Sequence, residues 1–122
     1  MSVWKTSYLL YGYKIEDKKE LDLLMDDHYE DLMEEKPYSN MFNNEKSDQQ
    51  IVFDGMCGRY MYVGEVLASI DEDEDAEWTS VSEKDLANLD ARLKEHMKNW
   101  PDYLLDVVKD KDPMLYFFIH AY

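Results

Sequence analysis

The stretch Gln50–Ile70, QIVFDGMCGRYMYVGEVLASI, decides the fold of this chain. Gln50–Asp54 and Arg59–Ile70 are rich in β-branched and aromatic residues, which favour β-strands. Gly55 and Gly58 lie in the short connection between them, where glycine readily adopts the positive φ angles that a tight turn requires. The stretch therefore predicts a β-hairpin made of one short and one long strand.

The chain before the hairpin predicts one strand and one helix. Residues 3–14 are aromatic and β-rich, which is typical of a strand. Residues 17–35 place apolar side chains at three- and four-residue spacing, which is the pattern of an amphipathic helix. Pro37 ends this helix, because a proline disfavours helical angles in the residue before it. Residues 37–49 are polar and predict a loop.

The chain after the hairpin predicts helical structure followed by a strand. Ser82 and Asp85 form a capping-box pattern at the start of a second helix, and Pro101 starts a further short helix, so this helix is kinked or doubled. Met114–Tyr122 predicts a final apolar strand. The order β-α-β-β-α-β indicates a single α+β domain over residues 1–122. We expect a ferredoxin-like fold, a four-stranded antiparallel sheet with the helices on one face.

The overall charge limits the classes of partner. Acidic residues outnumber basic residues by 28 to 13, for a formal net charge of −15. Direct binding to nucleic acid or to an anionic membrane is not expected, because both require lysine and arginine. The single cysteine, Cys57, excludes an intramolecular disulfide and a cysteine-cluster zinc site. With no apolar run long enough for a membrane span or a signal peptide, we expect a cytoplasmic protein.

The charge is concentrated in two places. Glu16–Glu35, the acidic segment, carries ten acids and two lysines, and Asp71–Glu77, the acidic run DEDEDAE, carries six acids and no basic residue. In the acidic segment like charges recur four residues apart, which costs a helix about 0.2–0.5 kcal/mol per pair. In the predicted topology the end of this helix and the loop after the third strand lie together. We therefore expect the two acidic stretches to form one surface.

Such a surface favours binding to a groove lined by arginine and lysine on another protein. Four residues of helix rise by about 6 Å, which is of the order of the phosphate spacing along a nucleic-acid strand. We therefore expect a non-enzymatic protein that blocks a basic, nucleic-acid-binding site by mimicking DNA. The candidate residues are acids of both stretches and the adjoining tryptophan: Asp22, Asp26, Asp27, Glu30, Asp31, Glu34, Glu35, Asp71, Glu72, Asp73, Glu74, Asp75, Glu77 and Trp78. The alternative is an acidic helix face that is only solvated.

The chain resembles a known class of proteins in size, acid content and richness in tyrosine and methionine. This class comprises small phage-encoded inhibitors of host proteins, such as anti-restriction DNA mimics, uracil-DNA glycosylase inhibitors and anti-CRISPR proteins. The turn Phe53–Tyr60, FDGMCGRY, also resembles a turn of small phage proteins. The resemblance implies an anti-defence or host-takeover role in the host cytoplasm, as a monomer or homodimer. It implies a basic host protein, such as a nucleic-acid-binding enzyme or a defence nuclease, as the partner.

The acidic run also invites comparison with a calcium site. Asp71, Asp73 and Asp75 match the first three ligand positions of an EF-hand loop. However, Ala76 stands where that loop requires glycine, and Ser82 stands where it requires glutamate. We therefore expect no metal site here, and no cofactor.

The third strand offers an alternative binding face. Gly58–Glu65, GRYMYVGE, resembles the RNA-binding signature of RRM domains, in which aromatic residues on strands stack on bases. In that comparison Tyr60 and Tyr62, with Tyr8 on the first strand, form the aromatic face. The glycine and arginine are in reversed order, and Glu65 replaces an aromatic residue. These tyrosines are therefore expected to cover the sheet, or to contact another protein in an adaptor or assembly subunit.

The sequence contains no recognisable catalytic motif, and we expect no enzyme activity. His28 and His96 lie on the apolar sides of the two predicted helices, and His120 lies in the last strand. A remaining alternative is a sponge for a small signalling nucleotide, which requires a pocket lined by basic side chains. Its candidate residues are Lys5, Arg59 and Arg92.

Overall fold

Two long antiparallel strands form the centre of the structure. The computed structural model describes residues 5–42, 48–55, 57–71 and 80–121. Strand β1 spans Lys5–Ile15 and strand β3 spans Met61–Asp71. They pair along their whole length, from Thr6 opposite Asp71 to Ile15 opposite Met61.

Two further strands complete a four-stranded antiparallel sheet with the order β2-β3-β1-β4. Strand β2, Gln49–Phe53, pairs with β3, and strand β4, Met114–Ala121, pairs with β1. The predicted α+β class and the antiparallel four-stranded sheet are confirmed. Strands β2 and β4 are the two edges of the sheet.

The predicted hairpin is confirmed, with a longer connection than expected. Strand β3 begins at Met61 and not at Arg59, because the backbone N–H groups of Cys57 and Arg59 both donate to the buried carboxylate of Asp54 at 3.2 Å. These bonds hold the chain in a loop. Gly58 has a φ of 62°, the positive value for which glycine is suited.

The helical region after β1 is interrupted. It consists of α1, Lys18–Asp22, a π-helical turn, Leu23–Asp27, and α2, Tyr29–Met33. A further short helix, α3, spans Tyr38–Phe42. The prediction of a polar loop over residues 37–49 is therefore wrong for this stretch, because the fully buried Phe42 anchors a helical turn to the core.

The second helical region is divided into three helices. They are α4, Glu83–Leu86, α5, Leu89–Met97, and α6, Asp102–Val108. The predicted capping box is present, since Ser82 Oγ accepts from the backbone N–H of Asp85 while the Asp85 carboxylate accepts from that of Ser82. Asn88, at a φ of 59°, separates α4 from α5, and Pro101 precedes α6. No helix among the described residues is long and apolar enough to cross a membrane.

The helices pack on one face of the sheet and form the main core. Its buried side chains come from three strands and both helical regions, and include Ile15, Leu24, Val63, Leu93 and Leu104. A smaller cluster lies on the opposite face, which we call the outer face. Its buried members are Leu10, Val52 and Tyr62.

The sheet is strongly curved at a pair of glycines. Gly12 and Gly64 are direct partners on β1 and β3, and a Cβ atom on Gly12 would lie 2.7 Å from the Cα atom of Gly64. Tyr62 and Phe118 lie opposite β1 residues six positions apart, which separates them by about 20 Å in a flat sheet. Their rings nevertheless stack with centroids 3.7 Å apart, so the outer face is concave.

Candidate functional site

The acidic segment lies at the surface of the first helical region. Leu24 and Leu32 are fully buried and anchor the region to the core. Of the seven acids predicted here as partner contacts, six are exposed, namely Asp22, Asp26, Asp27, Glu30, Glu34 and Glu35. This region therefore presents a row of carboxylates to solvent.

Asp31 is engaged within the fold. It is partly buried, and Tyr103 on α6 donates a hydrogen bond from its hydroxyl to the Asp31 carboxylate at 2.5 Å. The ring of His28 stacks on Tyr103, with centroids 3.7 Å apart and planes at 5°. Burial and the hydrogen bond to Asp31 raise the pKa of Tyr103. Asp31 therefore ties the acidic segment to α6, and its predicted partner contact stays a prediction.

The prediction of regular like-charge pairs along one α-helix is wrong in its geometry. Leu23–Asp27 form a π-helical turn, whose hydrogen bonds join residues five apart, and His28 leaves helical angles at a φ of −123°. Glu34 and Glu35 follow the last residue of α2. The repulsion expected of a continuous helix is therefore not repeated regularly along this segment.

The ion pairs of the structure leave part of the acidic segment unneutralised. Glu16, Glu20 and Asp22 pair with lysines at 2.9–3.7 Å. By contrast, no ion pair among the described residues involves the next five exposed acids, which we call the free carboxylates: Asp26, Asp27, Glu30, Glu34 and Glu35. In the second helical region, acids such as Asp90, Glu95 and Asp106 each have a lysine three or four residues away. These three acids therefore have lysine partners, whereas the five free carboxylates have none among the described residues.

Most of the acidic run lies outside the described residues. Asp71 ends β3, and its carboxylate accepts a hydrogen bond of 2.6 Å from Thr6 Oγ1. The other predicted contacts of this run, Glu72, Asp73, Glu74, Asp75, Glu77 and Trp78, are outside the described ranges. The single surface expected from the two acidic stretches therefore stays a prediction.

The predicted aromatic face is largely self-packed on the concave outer face. Tyr62 is only 7 % exposed, and its ring stacks on Phe118. Tyr8 stacks on the same Phe118 at 5.3 Å, and Tyr60 packs edge-on against Tyr62 at 5.6 Å. The rings therefore pack against one another across the outer face, with Tyr8 and Tyr60 half-buried.

A buried histidine closes this aromatic cluster. The Tyr60 hydroxyl lies 3.0 Å from Nδ1 of His120, which is 8 % exposed. Burial lowers the pKa of His120, while the carboxylate of Asp54 opposes that shift. Burial also raises the pKa of Tyr60. The cluster therefore favours neutral His120.

Lowering the pH is expected to destabilise the protein through His120. Its pKa is lower in the folded than in the unfolded chain, so the unfolded chain binds the proton first and the free energy of unfolding falls as pH decreases below about 7. The slope from this one group cannot exceed about 1.4 kcal/mol per pH unit. Urea unfolding between about pH 7.5 and 5.5 measures it. In His120→Asn, which keeps an acceptor for Tyr60, the slope is expected to flatten, and equal slopes in the two proteins would contradict this role.

The basic residues proposed for a nucleotide sponge do not converge. Arg59 pairs with Asp54 at 3.4 Å at the hairpin loop, and Lys5 is exposed at the start of β1. Arg92 on α5 makes a two-point ion pair with Glu65 of β3, from Nε at 3.1 Å and from Nη2 at 2.9 Å. Its remaining contacts are with the carbonyl oxygens of Asp85 and Ala87. The guanidinium of Arg92 is therefore occupied by the fold.

A cleft of about 330 Å³ lies beside Arg92. Three carboxylates line it, those of Asp48, Glu65 and Asp85, together with Lys84 and Arg92. Hydrogen bonds from Ser82 lower the pKa of Asp85, so its carboxylate stays charged. A cleft with this lining disfavours an anionic ligand such as a nucleotide.

The histidines and the cysteine are dispersed. His96 was predicted on the apolar side of its helix but is exposed, because α5 buries Leu93 instead. His28 stacks on Tyr103, and Cys57 is an exposed free thiol. Within the described parts of the chain, no three His, Cys, Asp or Glu side chains are grouped to hold a metal ion.

One exposed surface was missed by the sequence reasoning, which treated the last strand as an ordinary apolar strand. Met114, Leu115, Phe117 and Ile119 of β4, which we call the β4 patch, are 46–76 % exposed. An apolar cleft of about 150 Å³, lined in part by Leu9 and Phe117, adjoins it. The signal was available: apolar residues on both faces of a strand indicate burial on both faces, which an edge strand does not obtain from its own chain.

No family model, curated protein or solved structure matches this chain.

Proposed function

We propose that this protein is a non-enzymatic binding protein whose acidic segment docks on a basic surface of a partner protein. The observation that carries the proposal is the set of free carboxylates. They are exposed and lack an ion pair among the described residues, whereas Asp90, Glu95 and Asp106 of the second helical region each have a lysine partner. A lysine or arginine of a partner protein would pair with carboxylates that have no ion pair among the described residues.

A partner site that normally holds nucleic acid fits the arrangement. The free carboxylates recur three or four residues apart along an exposed but interrupted helical region. Repeated negative charge at this spacing is attractive to a groove of lysine and arginine built for phosphates. The protein would then act as a DNA mimic that blocks the groove by competition, in preference to a direct nucleic-acid binder.

The biological setting that we propose is that of a small phage-encoded inhibitor in the cytoplasm of the host cell. Its partner is then a basic host protein, such as a defence nuclease. We also propose a ferredoxin-like topology for the chain. The strand order β2-β3-β1-β4, which is β4-β1-β3-β2 read from the other edge, supports it.

Reversing free carboxylates is expected to abolish partner capture. Four would be changed together to lysine: Asp26, Asp27, Glu30 and Glu34. Immobilised wild-type protein and the variant are compared for retention of host-lysate proteins, with elution by rising NaCl and by duplex DNA. We expect specific host proteins to be retained by wild type, released by salt and displaced by DNA, because the contacts are electrostatic and occupy a DNA site. The variant is expected to lose at least about 90 % of this retention, since like charges now oppose one another across the interface.

A charge-matched control separates a surface effect from net charge. It reverses four exposed acids of the second helical region: Glu95, Asp102, Asp106 and Asp110. The control changes the net charge by the same amount and should retain the same proteins as wild type. Equal loss in both variants, or retention that survives high salt, would rule out docking by the acidic segment.

A further inference from the structure

The β4 patch is unusual for a strand at the edge of a sheet. Phe117 is 76 % exposed, Ile119 63 %, Met114 56 % and Leu115 46 %. Phe117, Ile119 and Leu115 share one face of the strand, and with residue surfaces of roughly 200 Å² they present roughly 370 Å² of apolar surface. Apolar patches of a few hundred Å² on soluble proteins are often functional.

The edge of β4 also lacks the features that prevent strand pairing. Its sequence, MLYFFIHA, contains no charged residue and no proline over eight residues. Exposed edges are ordinarily protected by lysine, by proline, by shortness or by covering elements. The opposite edge, β2, has only five residues, and α3 packs against it. The two edges therefore differ, and β4 is the one that no described strand or helix covers.

The strand is complementary to itself. If two copies of β4 pair antiparallel about a twofold axis at Phe117, Phe117 faces its own copy and Leu115 faces Ile119 of the other copy. These three side chains lie on the same face of the strand, because they are two residues apart. The pairing therefore joins the two β4 patches into one apolar strip. Pairing also gives hydrogen-bond partners to the backbone N–H and C=O groups along the edge of β4 that no described strand pairs.

We propose that the protein forms a symmetric homodimer through β4, centred on Phe117, so that the two sheets join into one of eight strands. The occupant of this surface is a second copy of the chain. The net charge of −15 is no obstacle at the contact itself, because β4 carries no charged side chain. Repulsion between the rest of the two copies is long-range and is screened by salt.

The first test is the mass in solution of the full chain, by sedimentation or by light scattering, as a function of concentration. Wild type is expected to be dimeric at concentrations of tens of micromolar, which corresponds to a Kd in the micromolar range. The dimer should tighten between low and high NaCl, the opposite of the salt response expected for the acidic segment. Because the two salt responses are opposite, dimerisation through β4 and docking by the acidic segment can be tested independently of each other.

A charged residue at position 117, at the centre of the apolar strip, should weaken the association of the two copies of the chain. Phe117→Lys places two like charges opposite each other and is expected to weaken the dimer at least tenfold, while the exposure of Phe117 allows the monomer to fold. Circular dichroism checks the fold. The matched control is Leu86→Lys, at an exposed leucine of α4, which should leave the dimer unchanged.

The register is tested by cysteine cross-linking in a Cys57→Ser background, with diamide as the oxidant. Phe117→Cys is expected to form an intermolecular disulfide, because directly opposed residues have Cα atoms about 4.5–5.5 Å apart. Ile119→Cys alone should not, because its own copy lies about 13 Å away, but mixing it with Leu115→Cys should restore the cross-link. A wild-type protein that is monomeric at about 100 μM would overturn the proposal, as would a dimer that Phe117→Lys does not affect. A dimer cross-linked equally at position 119 would overturn the register.

Discussion

A Gly12→Ala variant is expected to lose about 2–3 kcal/mol or more of its free energy of unfolding. The added Cβ would meet the Cα of Gly64 at 2.7 Å, and these atoms belong to backbone that cannot turn aside like a side chain. Inserting one extra carbon into a packed interior costs about 1–3 kcal/mol even where side chains can adjust. Here the two central strands must separate, or the curvature that they create must relax.

The loss of stability should be similar at the two facing glycines and absent at a glycine that has free space around it. Gly64→Ala is expected to cost as much, because its Cβ would lie 2.8 Å from the Cα of Gly12. Gly55→Ala is the control, since a Cβ at Gly55 meets nothing within 4 Å. Urea unfolding of the three variants measures the difference. If Gly12→Ala proves as stable as Gly55→Ala, the close approach of β1 and β3 is not what shapes the sheet.

An Arg92→Met variant is expected to lose about 2–4 kcal/mol. Glu65 is buried at 8 % exposure on the helix side of β3, and Arg92 holds its carboxylate at two points. Removing one partner of a buried pair costs about 3–5 kcal/mol, because the remaining charge is left without compensation. The loss is somewhat smaller here, since the Arg92 side chain is 34 % exposed. The variant also releases the carbonyls of Asp85 and Ala87 at the junction of α4 and α5.

Two further variants test whether an unpaired Glu65 carboxylate causes the loss of stability in Arg92→Met. Lys94→Met removes the neighbouring pair with Asp90 on the same helix, in which both side chains are exposed, and should cost less than about 1 kcal/mol. The double variant Arg92→Met with Glu65→Met should recover much of the loss, because no unpaired charge remains buried. Thermal or urea unfolding of wild type and the three variants measures these differences. If the double variant is as unstable as Arg92→Met, the packing of Arg92 and not its charge accounts for the loss.

The local elements of the fold were accessible from sequence because their causes are local. The capping box at Ser82 and the helix after Pro101 each depend on residues within one turn of each other. The hairpin follows from two strand-forming runs and the glycines between them. The short helix Tyr38–Phe42 was not predicted, because the stretch 37–49 around it is polar and the burial of Phe42 is decided by the distant core.

The candidate site also has some features that are visible in the sequence and others that only the tertiary structure shows. The position of the acidic segment along the chain can be counted from its residues, but which acids remain without a cation depends on where the lysines lie in space. Glu20, for example, is paired by Lys111, which lies 91 residues away. Asp31 belongs to the same segment and yet is bound by Tyr103 of α6.

The sequence by itself determined the α+β class, the antiparallel hairpin and the two places where negative charge concentrates, because propensity, spacing and charge are properties of neighbouring residues. Only the tertiary structure decided three other features. The backbones of Gly12 and Gly64 approach so closely that neither position has room for a Cβ atom, and the ring of Tyr62 stacks on that of Phe118. Arg92 neutralises Glu65 and so is removed from any ligand pocket. Phe117 of the edge strand β4 is left in solvent, because the described helices cover the middle of the sheet and burial depends on what the rest of the chain places nearby.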